Sequence, residues 1–171
     1  MAFLPYSIIK NTYLFRVTKI KFISLDNLYS EVGIKAEPTS WFTITQEQIN
    51  AFADCTHDQQ FIHVDPQKAA KTPFGSTIAH GFLTLSMLSH FTESFSVVIE
   101  GTYMSVNYGM DNQRFISPVK VGKRIRAHAT LIEVIEKKKG QFMLKTAGEI
   151  ETEHEKKPAL VAESIAMQMV K

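Results

Sequence analysis

The sequence predicts an α+β domain, on two observations. From Ile78 to about Phe95 the apolar side chains Phe82, Leu83, Leu85, Met87, Leu88, Phe91 and Phe95 recur at helical spacing and leave almost no face polar enough for solvent. After Glu100-Gly101 the pattern turns strand-like, with β-rich runs around Tyr103–Tyr108, Arg114–Ile116, Arg124–Ile135, Phe142–Glu151 and Leu160–Val170. A helix that apolar needs cover, and a long antiparallel meander supplies it. The expectation is one domain whose curved antiparallel sheet wraps around a single long buried helix.

The other elements follow in chain order. Residues 1–21 hold short apolar patches such as Phe3-Leu4 and Ile8-Ile9 and no acid, and read as an N-terminal extension ahead of a domain over 22–171. They lack the longer apolar centre and small-residue cleavage site of a secretory signal. Trp41-Phe42-Thr43-Ile44 is a short strand. Thr45 then caps a helix whose capping-box partner is Gln48 and whose apolar face is Ile49, Phe52 and Ala53, ending near Cys55-Thr56. Asp65-Pro66 supplies a cap and a first-turn proline for a brief helix ending near Lys71. Gly122, Lys137-Lys138-Lys139-Gly140 and Glu153–Pro158 punctuate the strands.

Composition excludes several functions. A chain of 171 residues with 44% hydrophobic content and 12 Phe builds one real core. The formal charge of +2 is too small for a nucleic-acid footprint, and four of the basic residues (Lys10, Arg16, Lys19, Lys21) sit in the extension. No run approaches the roughly 18 apolar residues of a membrane span. Cys55 is the single cysteine, so no intrachain disulfide forms, which fits a reducing, cytoplasmic setting.

The chemistry concentrates in two adjoining stretches, Asp58-Gln59-Gln60-Phe61-Ile62-His63 and Pro73-Phe74-Gly75-Ser76-Thr77-Ile78-Ala79-His80-Gly81. On an ideal helix, residues five apart lie about 140° apart, so Asp58 and His63 converge only if a loop folds them together. Asp-x-x-x-Ile-His-x-Asp followed by Phe-Gly-x-x-Ile-Ala-His-Gly-Phe-Leu resembles the hydratase motif of MaoC-like proteins, a family that contains R-specific enoyl-CoA hydratases. The wording around Asp58, with Trp41-Phe42-Thr43-Ile44-Thr45 upstream, is most similar to the NodN-like branch. Gln60 stands where the family's usual Asn does and Phe61 where its usual Pro does, which alters the turn between the two chemical side chains. The resemblance runs from about Leu25 to Val170. It implies a hot-dog fold, a homodimer paired edge to edge, and an acyl-CoA thioester as substrate.

Adding water to a trans-2-enoyl thioester needs a positioned water, a proton for the α-carbon, and donors for the charge that grows on the thioester oxygen. On the family reading Asp58 and His63 are catalytic and hold one water between them, each within proton-transfer reach. Gly81, at the start of the buried helix, offers a backbone N–H and the helix dipole to the oxyanion. Ser89 and Gln60 complete the substrate-binding candidates, Ser89 two helical turns beyond Gly81 and Gln60 anchoring the turn. His80 supports the loop before the helix. No metal or redox cofactor is required. His57, Asp58, His63 and Asp65 form a local set of metal-ligand types without a recognised ligand spacing. Arg114, Lys120, Lys123 and Arg124 are basic candidates for coenzyme A phosphates. Two rivals remain open at this level, a hot-dog acyl-CoA thioesterase and a non-catalytic acyl-thioester-binding protein.

Overall fold

The computed structural model describes residues 20–171; nearly all of the extension assigned to residues 1–21 lies outside the described residues. Lys21 already belongs to a strand. β1 (Lys21–Ile23) pairs in parallel with β3 (Val97–Ile99), so the described fold begins one residue before the boundary drawn at residue 22. A short helix, α1 (Leu25–Leu28), follows β1, and Leu28 buries itself with Ile23, Ile99, Leu131, Phe142 and Leu144. These small elements carry too few residues for a periodic signal, and the sequence did not announce them.

The main sheet has five antiparallel strands in the order β2 (Phe42–Thr43), β5 (Arg124–Lys138), β6 (Gln141–Thr152), β7 (Leu160–Val170) and β4 (Thr102–Phe115). It curls around α5 (Gly81–Phe95), the expected long helix. Leu83, Met87, Leu88 and Phe91 of α5 pack on Ile125, Ala127, Ile150, Leu160 and Ala162 of the sheet. At about 1.5–3 kcal/mol for each large side chain taken from water, this contact is a main stabilising term of the fold.

Two expectations need correction. α5 is not wrapped on all sides within one chain, because Ser86, Ser89, His90 and Glu93 are exposed and Phe82 is 65% exposed. The run Tyr103–Tyr108 and the first two residues of Arg114–Ile116 belong to a single strand, β4, which ends at Phe115. Its polar middle, Asp111-Asn112-Gln113, reads as a break in the sequence. In the fold it is taken up by register shifts against β7 at 107/109 and 111/114, with Asn112 at φ 50°, as bulges allow.

Thr45 accepts the Gln48 N–H and the Gln48 side chain accepts the Thr45 N–H, so the expected capping box opens α2 (Gln46–Thr56). α3 (Phe61–Val64) is a one-turn helix that sequence reading missed. α4 (Pro66–Ala69) starts under the Asp65 cap as expected, with Asp65 accepting the Lys68 N–H at 3.0 Å.

Candidate active site

The site lies where α2, α3 and the start of α5 meet. α2 stops because His57 turns left-handed at φ 60°, which throws the chain out into an exposed loop holding Asp58 and Gln60. The loop returns at α3, where the Gln60 carbonyl accepts the His63 N–H at 2.9 Å and His63 sinks to 7% exposure. A loop and a single turn therefore bring Asp58 and His63 together, as their five-residue spacing demanded.

His63 is held from two directions. Its Nδ1 lies 2.7 Å from the Ile78 carbonyl, which only accepts, so Nδ1 carries the hydrogen and Nε2 keeps its lone pair. Gln46, the first residue of α2, donates to the His63 carbonyl at 2.8 Å and accepts from Thr77 Oγ1 at 2.5 Å. Gln46 thus ties three segments to one another. Its partners lie 17 and 31 residues away, so no local pattern revealed it.

The strap leading to α5 is equally fixed. Ile78 N–H donates to Ile62 and Ala79 N–H to Val119, which sets the strap between α3 and the loop before β5. His80, 3% exposed, stacks on His63 with ring centroids 3.8 Å apart and 25° between planes. A carboxylate oxygen of Asp58 and one ring nitrogen each of His63 and His80 lie within 4.8 Å of one another. That trio replaces the metal-type set read from the sequence. His57 is the exposed end of α2, and Asp65 is used as a helix cap.

Electrostatics keeps His63 a base. Burial pushes its pKa below the ordinary imidazole value; hydrogen bonding to the Ile78 carbonyl pulls it back, His80 lowers it further and Asp58 raises it. The net direction is downward, so the Nε2 lone pair survives to lower pH than on an exposed histidine.

Gly81 is the first residue of α5, and its N–H precedes the first intrahelical bond. A Cβ added there would lie 3.1 Å from the Phe115 ring of β4, so glycine also serves the close packing of helix on strand. Ser89 lies further along α5 and lines a cavity of about 960 Å³ between the helix and the sheet, together with Leu85, Leu88, Thr92 and Ala166. The lining of that cavity does not include Asp58 or His63. Gln60 contributes its backbone carbonyl, while its exposed side chain makes no hydrogen bond among the described residues. The expected anchoring by the Gln60 side chain is therefore carried by its backbone.

Of the basic candidates, Arg124 pairs with Glu153 through two nitrogens and stands 5.8 Å over the Trp41 ring, and Lys123 lies 3.7 Å from Glu155. Arg114 donates to the neighbouring Gln113 carbonyl. Arg124 and Lys123 are thus already neutralised by carboxylates.

A buried imidazole whose Nδ1 is held by the Ile78 carbonyl, a carboxylate near it and a helix that begins at glycine are the features the fold gathers here. The chain matches the MaoC-like domain over residues 28–153. It belongs to the MaoC-like dehydratase family and is thereby a hydro-lyase. Among curated relatives it is 44% identical over 144 residues to a protein of Mycobacterium tuberculosis named 3-hydroxyacyl-thioester dehydratase Z, spanning 84% of this chain and 95% of that one. It is 46% identical over 148 residues to Nodulation protein N of Rhizobium leguminosarum bv. viciae, spanning 85% and 91%. Among solved structures it is similar to the (R)-hydratase from A. caviae involved in PHA biosynthesis, with a TM-score of 0.63, 28% identity, and 80% and 95% of the two chains covered. The hot-dog fold expected from the resemblance is the one observed.

Proposed function

We propose that this chain interconverts trans-2-enoyl thioesters and (R)-3-hydroxyacyl thioesters, with coenzyme A as the thiol. The observation that carries the reading is His63: its Nδ1–H is committed to Ile78, which leaves the Nε2 lone pair for a water, and a ring nitrogen of His63 lies within 4.8 Å of an Asp58 carboxylate oxygen. In the hydration direction that water is held between the two groups; its oxygen adds to C3 of the enoyl chain as one of its O–H protons passes to the Asp58–His63 pair, and the pair returns a proton to C2. The bond between C2 and C3 becomes single. The thioester oxygen gains charge as this happens, and the Gly81 N–H at the head of α5 stabilises it. No helix among the described residues is long and apolar enough to cross a membrane. The deciding experiment is loss of enoyl absorbance over a series of enoyl-CoA lengths, with chiral analysis of the product. Release of free thiol from saturated acyl-CoA, with no 3-hydroxyacyl product from enoyl-CoA, would establish the thioesterase instead.

The cavity under α5 suits the acyl tail. By helix rise, Gly81 to Leu85 is about 6 Å and Gly81 to Thr92 about 17 Å, while an extended chain advances about 1.2 Å per bond. A tail whose carbonyl sits at Gly81 enters the cavity after about five carbons and reaches Thr92 at about fourteen. Turnover efficiency is therefore expected to rise from four-carbon to about twelve-carbon substrates. Ala166→Phe, which adds a ring from the sheet side, is expected to lower the ratio of long-chain to short-chain kcat/KM by about tenfold. An unchanged ratio in steady-state kinetics removes the tail from this cavity.

The same reading makes the protein a homodimer. β4 is an edge strand, exposed along almost its whole length, with Tyr103, Met104, Val106, Tyr108 and Met110 among the exposed apolar side chains. A long apolar edge of this kind invites a second strand, here that of another copy. Val106→Lys is expected to shift the protein from dimer to monomer in sedimentation equilibrium, and a dimer that persists unchanged places the contact elsewhere.

A further inference from the structure

We infer that His80 is a positioning residue of the hydration reaction, clamping Asp58 to the head of α5 and holding the His63 ring against its own. Three contacts meet on this side chain. Its Nε2 lies 3.0 Å from the Asp58 backbone carbonyl, an acceptor, so Nε2–H donates. Its ring lies face to face with His63 at 3.8 Å. On another side the Phe52 ring of α2 stands 5.0 Å away, tilted by 47°. The next residue in the chain is Gly81.

These contacts solve a problem set by the loop. Asp58 is exposed, 22 residues from His80 in sequence, and lies just past the left-handed end of α2. The Nε2–H bond fastens that loop to the residue whose successor supplies the oxyanion donor. One side chain thereby sets the spacing between the carboxylate, the imidazole and the Gly81 N–H. Misplacement by about 1 Å in such a constellation costs on the order of 100-fold in rate.

The burial of His80 fits this role better than packing alone. It is 3% exposed, yet its Nδ1 has no hydrogen-bond partner among the described residues. A leucine or phenylalanine would fill the same space without leaving a polar atom unpaired. The imidazole is there for its second nitrogen, the one that reaches Asp58. Asp58 and His80 are the charged or titratable neighbours that act on His63, the first raising its pKa and the second lowering it, and the Ile78 carbonyl holds its Nδ1, while Phe52 packs on the His80 ring.

The inference rests on the hydratase reading, and two variants with two readouts separate their failures. His80→Phe keeps a ring against His63 and Phe52 but removes the donor to Asp58. His80→Gln keeps a donor and removes the ring. With enoyl-CoA, His80→Phe is expected to lower kcat by about 10- to 100-fold with KM changed less than about threefold and the melting temperature within a few degrees of wild type. His80→Gln should retain more turnover than His80→Phe. Independently of turnover, imidazole NMR titration of His63 should show its pKa rising in His80→Phe, since a neighbour that lowers it is gone. An unchanged kcat and an unmoved His63 titration in His80→Phe overturn the inference, as does a loss of kcat matched by an equal rise in KM. A wild type that hydrates no enoyl-CoA would overturn the hydratase reading and with it the kinetic role of His80, whereas an unchanged kcat and an unmoved His63 titration in His80→Phe, beside an active wild type, overturn the positioning inference alone.

Discussion

Asp58→Asn is expected to lower hydration by about 10²- to 10⁴-fold, the usual contribution of a general acid–base group, while leaving the melting temperature unchanged. The amide copies the shape of the carboxylate but cannot take a proton from the water. The fold has little reason to notice, because Asp58 is exposed and its structural contact is made by the backbone carbonyl that accepts from His80. At 1.36 kcal/mol per factor of ten, the loss corresponds to about 3–5 kcal/mol of transition-state stabilisation. A second signature follows from charge. Asp58 raises the pKa of His63, so its neutralisation should let that pKa fall further, and the residual activity should persist to lower pH than in wild type. Stopped-flow or steady-state kinetics across pH read both effects. Turnover above about a third of wild type would remove Asp58 from the role of base.

The long elements were legible because their signals are repetitive. Fifteen residues of α5 hold one apolar pattern, and β7 begins and ends where its β-rich run does, at Leu160 and Val170. The capping box of α2 is a local rule with local partners, and it appears as written. What escaped was short or non-local. β1 and α1 have three and four residues, too few to show a period. α3 is one turn whose apolar residues, Phe61, Ile62 and Val64, are interrupted by His63 itself. In the candidate site, Asp58, His63 and Gly81 were singled out through their motif, and the loop joining the first two was required by their spacing. Gln46 and the bond from His80 to the Asp58 carbonyl were not, since each depends on chain segments that meet only after folding. The exposure of Phe82 and of β4 was hidden for another reason: apolar pattern reports what seeks burial, not whether one copy of the chain supplies the cover.

His63→Ala should lower kcat far more than it weakens binding of a saturated acyl-CoA. A group that acts on the water is fully engaged only in the transition state, so its removal depresses kcat and kcat/KM together and leaves ground-state affinity nearly intact. The alanine variant also has a structural cost. It strips the Ile78 carbonyl of its 2.7 Å donor in a buried place, which is expected to cost about 1–3 kcal/mol of stability. His63→Asn separates the two effects, because its amide nitrogen can occupy the place of Nδ1 and keep the Ile78 bond while nothing replaces Nε2. Asparagine should therefore restore most of the lost stability and almost none of the lost turnover. Combining either variant with Asp58→Asn should cost little more than the worse single change, since two groups holding one water fail as a unit. Kinetics of the single and double variants, with acyl-CoA affinity by calorimetry and melting curves for each, decide the matter. Losses that multiply independently, or an effect of His63→Ala confined to affinity, would show that the two side chains do not share a water and that His63 serves to position the substrate.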